Sequence, residues 1–417
     1  MADFNRICVV GLGYIGLPTA LAFANAGKHV IGVDAHLARV AQLNQGNAPI
    51  AEKGIDLALR QAVDSGNFIA TTKPEVADGF IIAVPTPLTP EHQPDLHFVE
   101  QAVAAIAPVL AKGNLVVLES TSPVGTTDQI TEWLRLARPD LHFPDEVNIA
   151  YCPERVLPGN ILQELVANDR VIGGLSPKCA QQAVALYRLL AKGECLTTNA
   201  RTAEMCKLTE NSFRDVNIAF ANELSLICDR LEIDVWELIA LANRHPRVQI
   251  LQPGAGVGGH CIAVDPWFMV AQTPDLARLI QTARHVNDAK PQWVIDKVKA
   301  TVADCLVHSN HTAQDLKIAC LGITFKADVD DVRESPALAI TEALAEWHSG
   351  ALWVVEPNLP ALPPSLAKAE LVTLDHALTQ ADVLVLLVDH QLFRQTPLTE
   401  QTTPWRVDTK GIWQRLS

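Results

Sequence analysis

Short apolar runs alternate with longer amphipathic stretches from the first residues of the chain, and that alternation predicts the architecture. Residues 7–10 are uniformly apolar, as in a strand buried on both faces. A glycine cluster follows, then a helix-like stretch to Ala26, then a second apolar run at 29–33 that ends on Asp34. Further runs at 79–84 and 115–118 are separated by helix-like stretches such as 99–111. Strands alternating with helices predict a parallel sheet covered on both faces. Residues 201–230 carry no glycine or proline and are rich in Ala, Leu and Glu, which predicts one long helix bridging two halves of the molecule.

A second helical region is expected at 236–242 and 277–288, after which the opening pattern recurs in altered form. Residues 318–321 read as a strand, 322–331 as a turn, 336–347 as a helix and 352–355 as a strand ending on Glu356. The run 383–388 lies between Asp382 and Asp389, and the polar segment 308–314 marks a boundary. The fold class is therefore α/β: two Rossmann-like doubly wound parallel-sheet domains joined by a long central helix and helical region. The expected spans are 1–200, 201–300 and 310–417.

Composition narrows the function. The 417 residues carry Lys+Arg 33 against Asp+Glu 47, a net charge of −14, which argues against binding nucleic acid by phosphate neutralisation. No apolar run is long enough to span a bilayer, and the start of the chain, with Asp3 and an early glycine cluster, does not read as a secretory leader. A cytoplasmic location is expected. Nine cysteines, an odd number with no C-x-x-C pair, fit neither a disulfide framework nor a zinc site, so no metal is expected.

The glycine cluster reads Gly11-Leu12-Gly13-Tyr14-Ile15-Gly16, matching G-x-G-x-x-G between a strand and a helix. Gly11 permits the tight turn, Gly13 lets the backbone approach a pyrophosphate, and Gly16 allows close helix packing. Asp34 follows at about the 20-residue spacing of an acid that accepts a ribose 2′-hydroxyl. An acid there repels a 2′-phosphate, so NAD is expected over NADP; Arg39 stands nearby and is counted with the cofactor-binding residues. Ligands of such sheets bind beyond the carboxyl ends of the strands, where Pro85-Thr86-Pro87 and residues 119–127 fall. The second segment, with Thr121 and Thr126, offers hydroxyls where the nicotinamide half would lie; ordinary turn chemistry accounts for the same residues equally well.

On the long helix, Lys207, Asn211 and Arg214 share a face at i, i+4 and i+7, while Leu208, Phe213, Val216 and Phe220 fall elsewhere around the axis. The mostly apolar surroundings suggest a polar stripe facing a cavity, against the plainer reading of a solvated face. Residues 254–261 place four glycines ahead of Cys261, with His260 beside it and Asp265 after it. A glycine-rich loop is a poor place to bury a small hydrophobe, so Cys261 is the candidate nucleophile among the nine. In the second α/β pattern the triple-glycine turn is gone, and Lys326 and Arg333 stand where side-chain charge can hold phosphate.

Taken together, these residues make the chain resemble the UDP-glucose/GDP-mannose dehydrogenase family, which oxidises a sugar CH2OH to a carboxylate in two NAD-dependent steps. The resemblance rests on the glycine turn, the Thr-Ser-Pro-Val-Gly-Thr-Thr loop, Cys152-Pro153-Glu154-Arg155, Lys207 with Asn211 running into Asn222-Glu223, the glycine-Cys261 loop, and Gly322-Ile323-Thr324-Phe325-Lys326 with Arg333-Glu334-Ser335-Pro336. Within the family, residues 203–228 and 243–248 look most like members that oxidise UDP-N-acetylmannosamine for bacterial surface polysaccharide; members acting on UDP-N-acetylglucosamine are similar around His245. The resemblance thus implies a UDP-amino-sugar substrate and a homodimer formed through the long helix.

It also implies residue roles. Cys261 holds the aldehyde between two hydride transfers, Lys207 with Asn211 stabilises the C6 oxygen, and Glu154 and Asp265 handle water or protons. Arg155, Val156, Arg214, His245, Arg247 and Gly258 contact the nucleotide sugar, with Lys326 and Ala327 near its phosphates. Tyr14, Ile15, Thr86, Thr121, Thr126 and Arg333 meet the cofactor. The turn after Lys326 departs from many relatives, reading Ala327-Asp328-Val329 where they carry Pro or Asn. Two readings outside this mechanism stay open on the residues alone: a single two-electron dehydrogenase with a structural Cys261, and an NAD-binding sensor without turnover.

Overall fold

The computed structural model describes residues 4–50, 52–156, 159–398, 403 and 405–413. Two compact units emerge, one comprising Met1–Glu210 with Trp267–Gln272, the other Asn211–Pro266 with Thr273–Ser417. The long helix, Ala200–Arg230, is a single element whose residues divide between them.

The first unit is built on eight strands: β1 (Arg6–Val10), β2 (His29–Val33), β3 (Phe68–Thr71), β4 (Gly79–Ile82), β5 (Leu115–Leu118), β6 (Asn148–Tyr151), β7 (Arg170–Gly174) and β8 (Cys195–Asn199), in the order β3-β2-β1-β4-β5-β6-β7-β8. The apolar runs are strands because both faces are covered: Ile7, Val9 and Ile81 pack with Leu17 and Leu21 on one side, and Cys8, Phe80 and Ile82 with Val99 and Val103 on the other. The sheet departs from the all-parallel expectation at one place, the antiparallel pair β6–β7. The short helix Ile161–Ala167 returns the chain to the end it left, so no crossover is made.

In the second unit β9 (Lys317–Leu321), β10 (Ala351–Val355), β11 (Glu370–Leu371), β12 (Val383–Leu386) and β13 (Arg406–Asp408) form a parallel sheet ordered β11-β10-β9-β12-β13. This repeats the order of the first five strands of the other sheet, with the order reversing between the first and fourth strands of each. The helix expected at 277–288 runs instead over Arg278–His308, straight through Pro291. Its second half is held by packing: Val294, Val298 and Val302 are buried with Ile318, Val383 and Val385 of the sheet, which outweighs the bond Pro291 cannot make.

Candidate active site

The first-unit turn is shaped by contacts a side chain would break. Gly11 has φ +95°, and a Cβ on it would lie 2.4 Å from the Ala83 carbonyl oxygen; a Cβ on Gly16 would lie 1.8 Å from the Gly11 oxygen. Around the Cβ position of Gly13, by contrast, no atom lies within 4 Å. The helix that follows, Gly16–Asn25, has neither a side-chain cap nor an acid in its first turn, so its N-terminal N–H groups are left for an anion. Asp34, buried at the end of β2, accepts from Leu12 N at 3.3 Å and His36 N at 3.0 Å, and Arg39 pairs with it at 3.0 Å. Tyr14 and Ile15 stand half-buried in the same turn. These residues fit a dinucleotide.

The loops after β4 and β5 are stitched together, since Thr86 Oγ1 donates to Thr121 O at 2.6 Å and Ser120 Oγ to Val84 O at 2.7 Å. Thr126 is turned inward: it is buried and donates to Pro123 O. The helix it opens, Thr126–Ala137, is not available to a cofactor phosphate, because Glu204 already accepts from Gly125 N and from Thr127 N and Oγ1. No sequence pattern singled out Glu204, 77 residues from Thr127.

Glu154 is buried beyond β6, with Arg155 N donating to it at 2.6 Å and the buried Arg170 pairing at 3.5 Å. Glu119, immediately after β5, accepts from Thr19 Oγ1 at 3.1 Å and Tyr187 Oη at 3.2 Å. Burial, and then the charge of Glu154, push its pKa up to about 8. Glu119 opens the segment 119–127 singled out in the sequence, but its neighbours Arg170 and Tyr187 were not legible there. Arg155 is engaged by Glu210, with Nη2 2.7 Å from Oε1, and Val156 beside it is half-buried. Lys207 is half-buried, Asn211 buried and Arg214 exposed, so the polar stripe passes from shielded to solvated along its length. Phe213 and Phe220, expected among the apolar surroundings of a cavity, are 69% and 50% exposed.

In the second unit the loop carrying Cys261 is defined from below. Its glycines answer to the chain itself: a Cβ on Gly256 would meet Pro336, one on Gly258 would lie 2.2 Å from the Glu334 oxygen, and one on Gly259 would press on the Phe325 ring. The closest approach is to the turn after β9, which brings Gly258 beside Glu334 and Pro336. Asp265 and Val264 donate their N–H groups to Cys261 O at 2.9 and 3.1 Å, and buried Asp265 accepts from Asn211 Nδ2 at 2.5 Å. Among the nine cysteines Cys261 is the exposed one, six being buried and two intermediate. Burial raises the thiols of Cys8, Cys152 and Cys320 to about 12, which leaves them inert at neutral pH. Desolvation first, and the charge of Arg333 next, hold His260 below the ordinary imidazole value.

Arg333 forks onto Asp331 at 2.6–3.0 Å, while Lys326 is exposed and Ala327 half-buried in the same turn. Gly322 (φ +83°) and Glu356 take the places that Gly11 and Asp34 hold in the first sheet, Glu356 accepting from Ile323 N at 2.8 Å. Here the acid is already occupied, because buried His390 reaches it through Nε2 at 3.2 Å while Nδ1 accepts from Asp328 N. His245 and Arg247 are exposed in a loop pinned by Asn243, which bonds both N and O of Ile250.

The NAD binding domain of the UDP-glucose/GDP-mannose dehydrogenase family matches residues 5–191, its central domain residues 201–289 and its UDP binding domain residues 319–415. The chain belongs to this family. As a member of the UDP-glucose/GDP-mannose dehydrogenases it is an NAD-dependent oxidoreductase. A UDP-N-acetyl-D-mannosamine dehydrogenase from Yersinia pestis is 61% identical, the match covering 99% of this chain and 100% of that protein. An NDP-N-acetyl-D-galactosaminuronic acid dehydrogenase from Ralstonia nicotianae is 55% identical over 99% of this chain and 97% of that protein. The solved UDP-D-ManNAc dehydrogenase of Pyrococcus horikoshii is 37% identical with a TM-score of 0.87, covering 98% of this chain and 96% of that one.

Proposed function

We propose that the protein oxidises UDP-N-acetyl-D-mannosamine at C6 to the uronate, a four-electron conversion, for bacterial surface-polysaccharide precursors of the enterobacterial common antigen type. The single observation that carries the covalent mechanism is that Cys261, on the glycine loop, is the exposed thiol of the nine. NAD, when bound, accepts a hydride from C6 in each of two steps. Between them the Cys261 thiolate adds to the aldehyde carbon, giving a thiohemiacetal; loss of the second hydride leaves a thioester, which water cleaves to release the acid and the thiol. Lys207 and Asn211 stabilise the charge on the C6 oxygen, and Asp265 holds the amide of Asn211 in place. Glu154 takes the proton of the hydrolytic water.

Gly11, Gly13, Gly16 and Asp34 hold the cofactor, with Tyr14, Ile15, Arg39, Thr86 and Thr121 around it; Thr126 acts on the loop through its bond to Pro123. Arg155, Val156, Arg214, His245, Arg247 and Gly258 contact the nucleotide sugar, and Lys326 with Ala327 its diphosphate. Arg333 supports that turn and completes the cofactor contacts. A second copy of the chain pairs along the helix Ala200–Arg230, where Phe213, Phe220 and Ile227 form an exposed stripe at seven-residue intervals. The protein works in the cytoplasm.

Stoichiometry tests the reading. Two NADH and one uronate are expected per UDP-N-acetylmannosamine, and Cys261→Ser should abolish acid formation with the NAD Kd within about twofold of wild type. One NADH with a stable free aldehyde, or wild-type turnover by Cys261→Ser, would sink the covalent mechanism. Parallel assays with UDP-N-acetylglucosamine decide the sugar.

A further inference from the structure

Behind the Cys261 loop, two helices meet through polar groups where apolar packing would be the ordinary solution. From Ala200–Arg230 come Asp215, Asn222 and Ser225; from Arg278–His308 come Arg284, Asn287 and Lys290; all six are buried. Arg284 Nη1 donates to Asp215 Oδ1 at 2.6 Å, and Asn287 Nδ2 donates to the same oxygen at 2.7 Å. Asn222 Nδ2 donates to Asn287 Oδ1 at 2.9 Å, and Lys290 Nζ to Ser225 Oγ at 2.6 Å. Desolvating such charges costs several kcal/mol per ion, and well-packed apolar residues are often as stable. The row needs another purpose, and its reach supplies one. Arg284 Nη1 also extends to Ile262 O at 3.4 Å, Asn222 Oδ1 accepts from Gly254 N at 2.9 Å, and Asn211 grips Asp265. The glycine loop is thus held at its start, at its end, and at the residue next to Cys261.

We propose that Arg284, seated on Asp215 and Asp288, is a positioning residue that fixes the reach of the Cys261 thiol through the Ile262 carbonyl. Four glycines give this loop more conformational freedom than any other composition would, and a nucleophile must be held to within about half an ångström. A planar guanidinium can serve Asp215, Asp288 and Ile262 O together, which a lysine ammonium at the same place cannot. The proposal rests on the reading of Cys261 as nucleophile, and the test separates the two.

The full-length Arg284→Lys enzyme is assayed with NAD and UDP-N-acetylmannosamine, with semicarbazide present to trap any released aldehyde. The expected result is a kcat lower by about tenfold to a hundredfold. KM for NAD should stay within about twofold, and trapped aldehyde should appear that wild type does not release, because a misplaced thiol captures the intermediate poorly. Asp288→Asn carries the test if the buried change prevents folding, since Asp288 is 46% exposed and lies at the open end of the clamp; a smaller loss of about twofold to fivefold and the same trapped aldehyde are expected. Folded variants with wild-type kcat and no trapped aldehyde overturn the positioning role. If in the same assays Cys261→Ser still forms acid, it is the nucleophile reading that fails.

Discussion

At Glu119 the sequence shows only an acid after a strand, and the fold turns it into a carboxyl that keeps its proton. Burial first, and Glu154 next, raise its pKa from the ordinary 4.5 to about 8, while Thr19 and Tyr187 are its hydrogen-bond partners. Between those two values the folded protein holds a proton that the unfolded chain gives up. Stability from this group is therefore lost as pH rises from about 4.5 to 8 and is level above that. Glu119→Gln keeps the shape without the ionisation, so its Tm should exceed that of wild type by roughly 2–4 °C at pH 8. Melting curves at pH 5 and pH 8 check this; an equal difference at both would mean the carboxyl is ionised throughout. Cys261 illustrates the opposite case, because its glycine neighbours and its flanking His and Asp already marked it among the nine before burial separated it from the rest.

At the scale of elements, the strand–turn–helix units were legible because burial on both faces leaves an apolar signature of strand length. The two sheets reuse one topology but differ in what their turns can hold. In the first, the helix start has no side-chain cap and Asp34 pairs with the partly exposed Arg39; in the second, Glu356 pairs with the fully buried His390. Gly16→Ala should abolish measurable NAD binding, since its Cβ would lie 1.8 Å from backbone oxygen, while Gly13→Ala, in open space within the protein, should weaken NAD without lowering Tm. Titration calorimetry and melting curves distinguish these outcomes; a Gly13→Ala protein with unchanged NAD affinity would show that the open space is not where the pyrophosphate lies. The end of the helix Arg278–His308 was misplaced by twenty residues for a physical reason, since proline propensity is local and the packing of Val294, Val298 and Val302 is not.

At the scale of the whole molecule, the exposed Phe213, Phe220 and Ile227 make a specific demand: the stripe should be covered in solution. Phe220→Asp should shift the mass measured by light scattering from that of two chains to that of one, with the NAD site intact; a wild-type mass of a single chain would remove the dimer. The net charge of −14 argues against a nucleic-acid partner but does not reveal where cations gather, and several arginines are paired with acids within the chain, Arg155 with Glu210, Arg333 with Asp331 and Arg284 with Asp215. What the sequence determined by itself was whatever is written in local pattern: the alternation of strands and helices, the glycine turn with its acid, the loop bearing Cys261, and through these the family. Only the tertiary structure decided which polar groups are consumed internally and which are left for chemistry. Glu204 on Thr127, His390 on Glu356 and Arg284 on Asp215 are pairs separated by 77, 34 and 69 residues, and their energetics come from shared burial, which no short window of sequence contains.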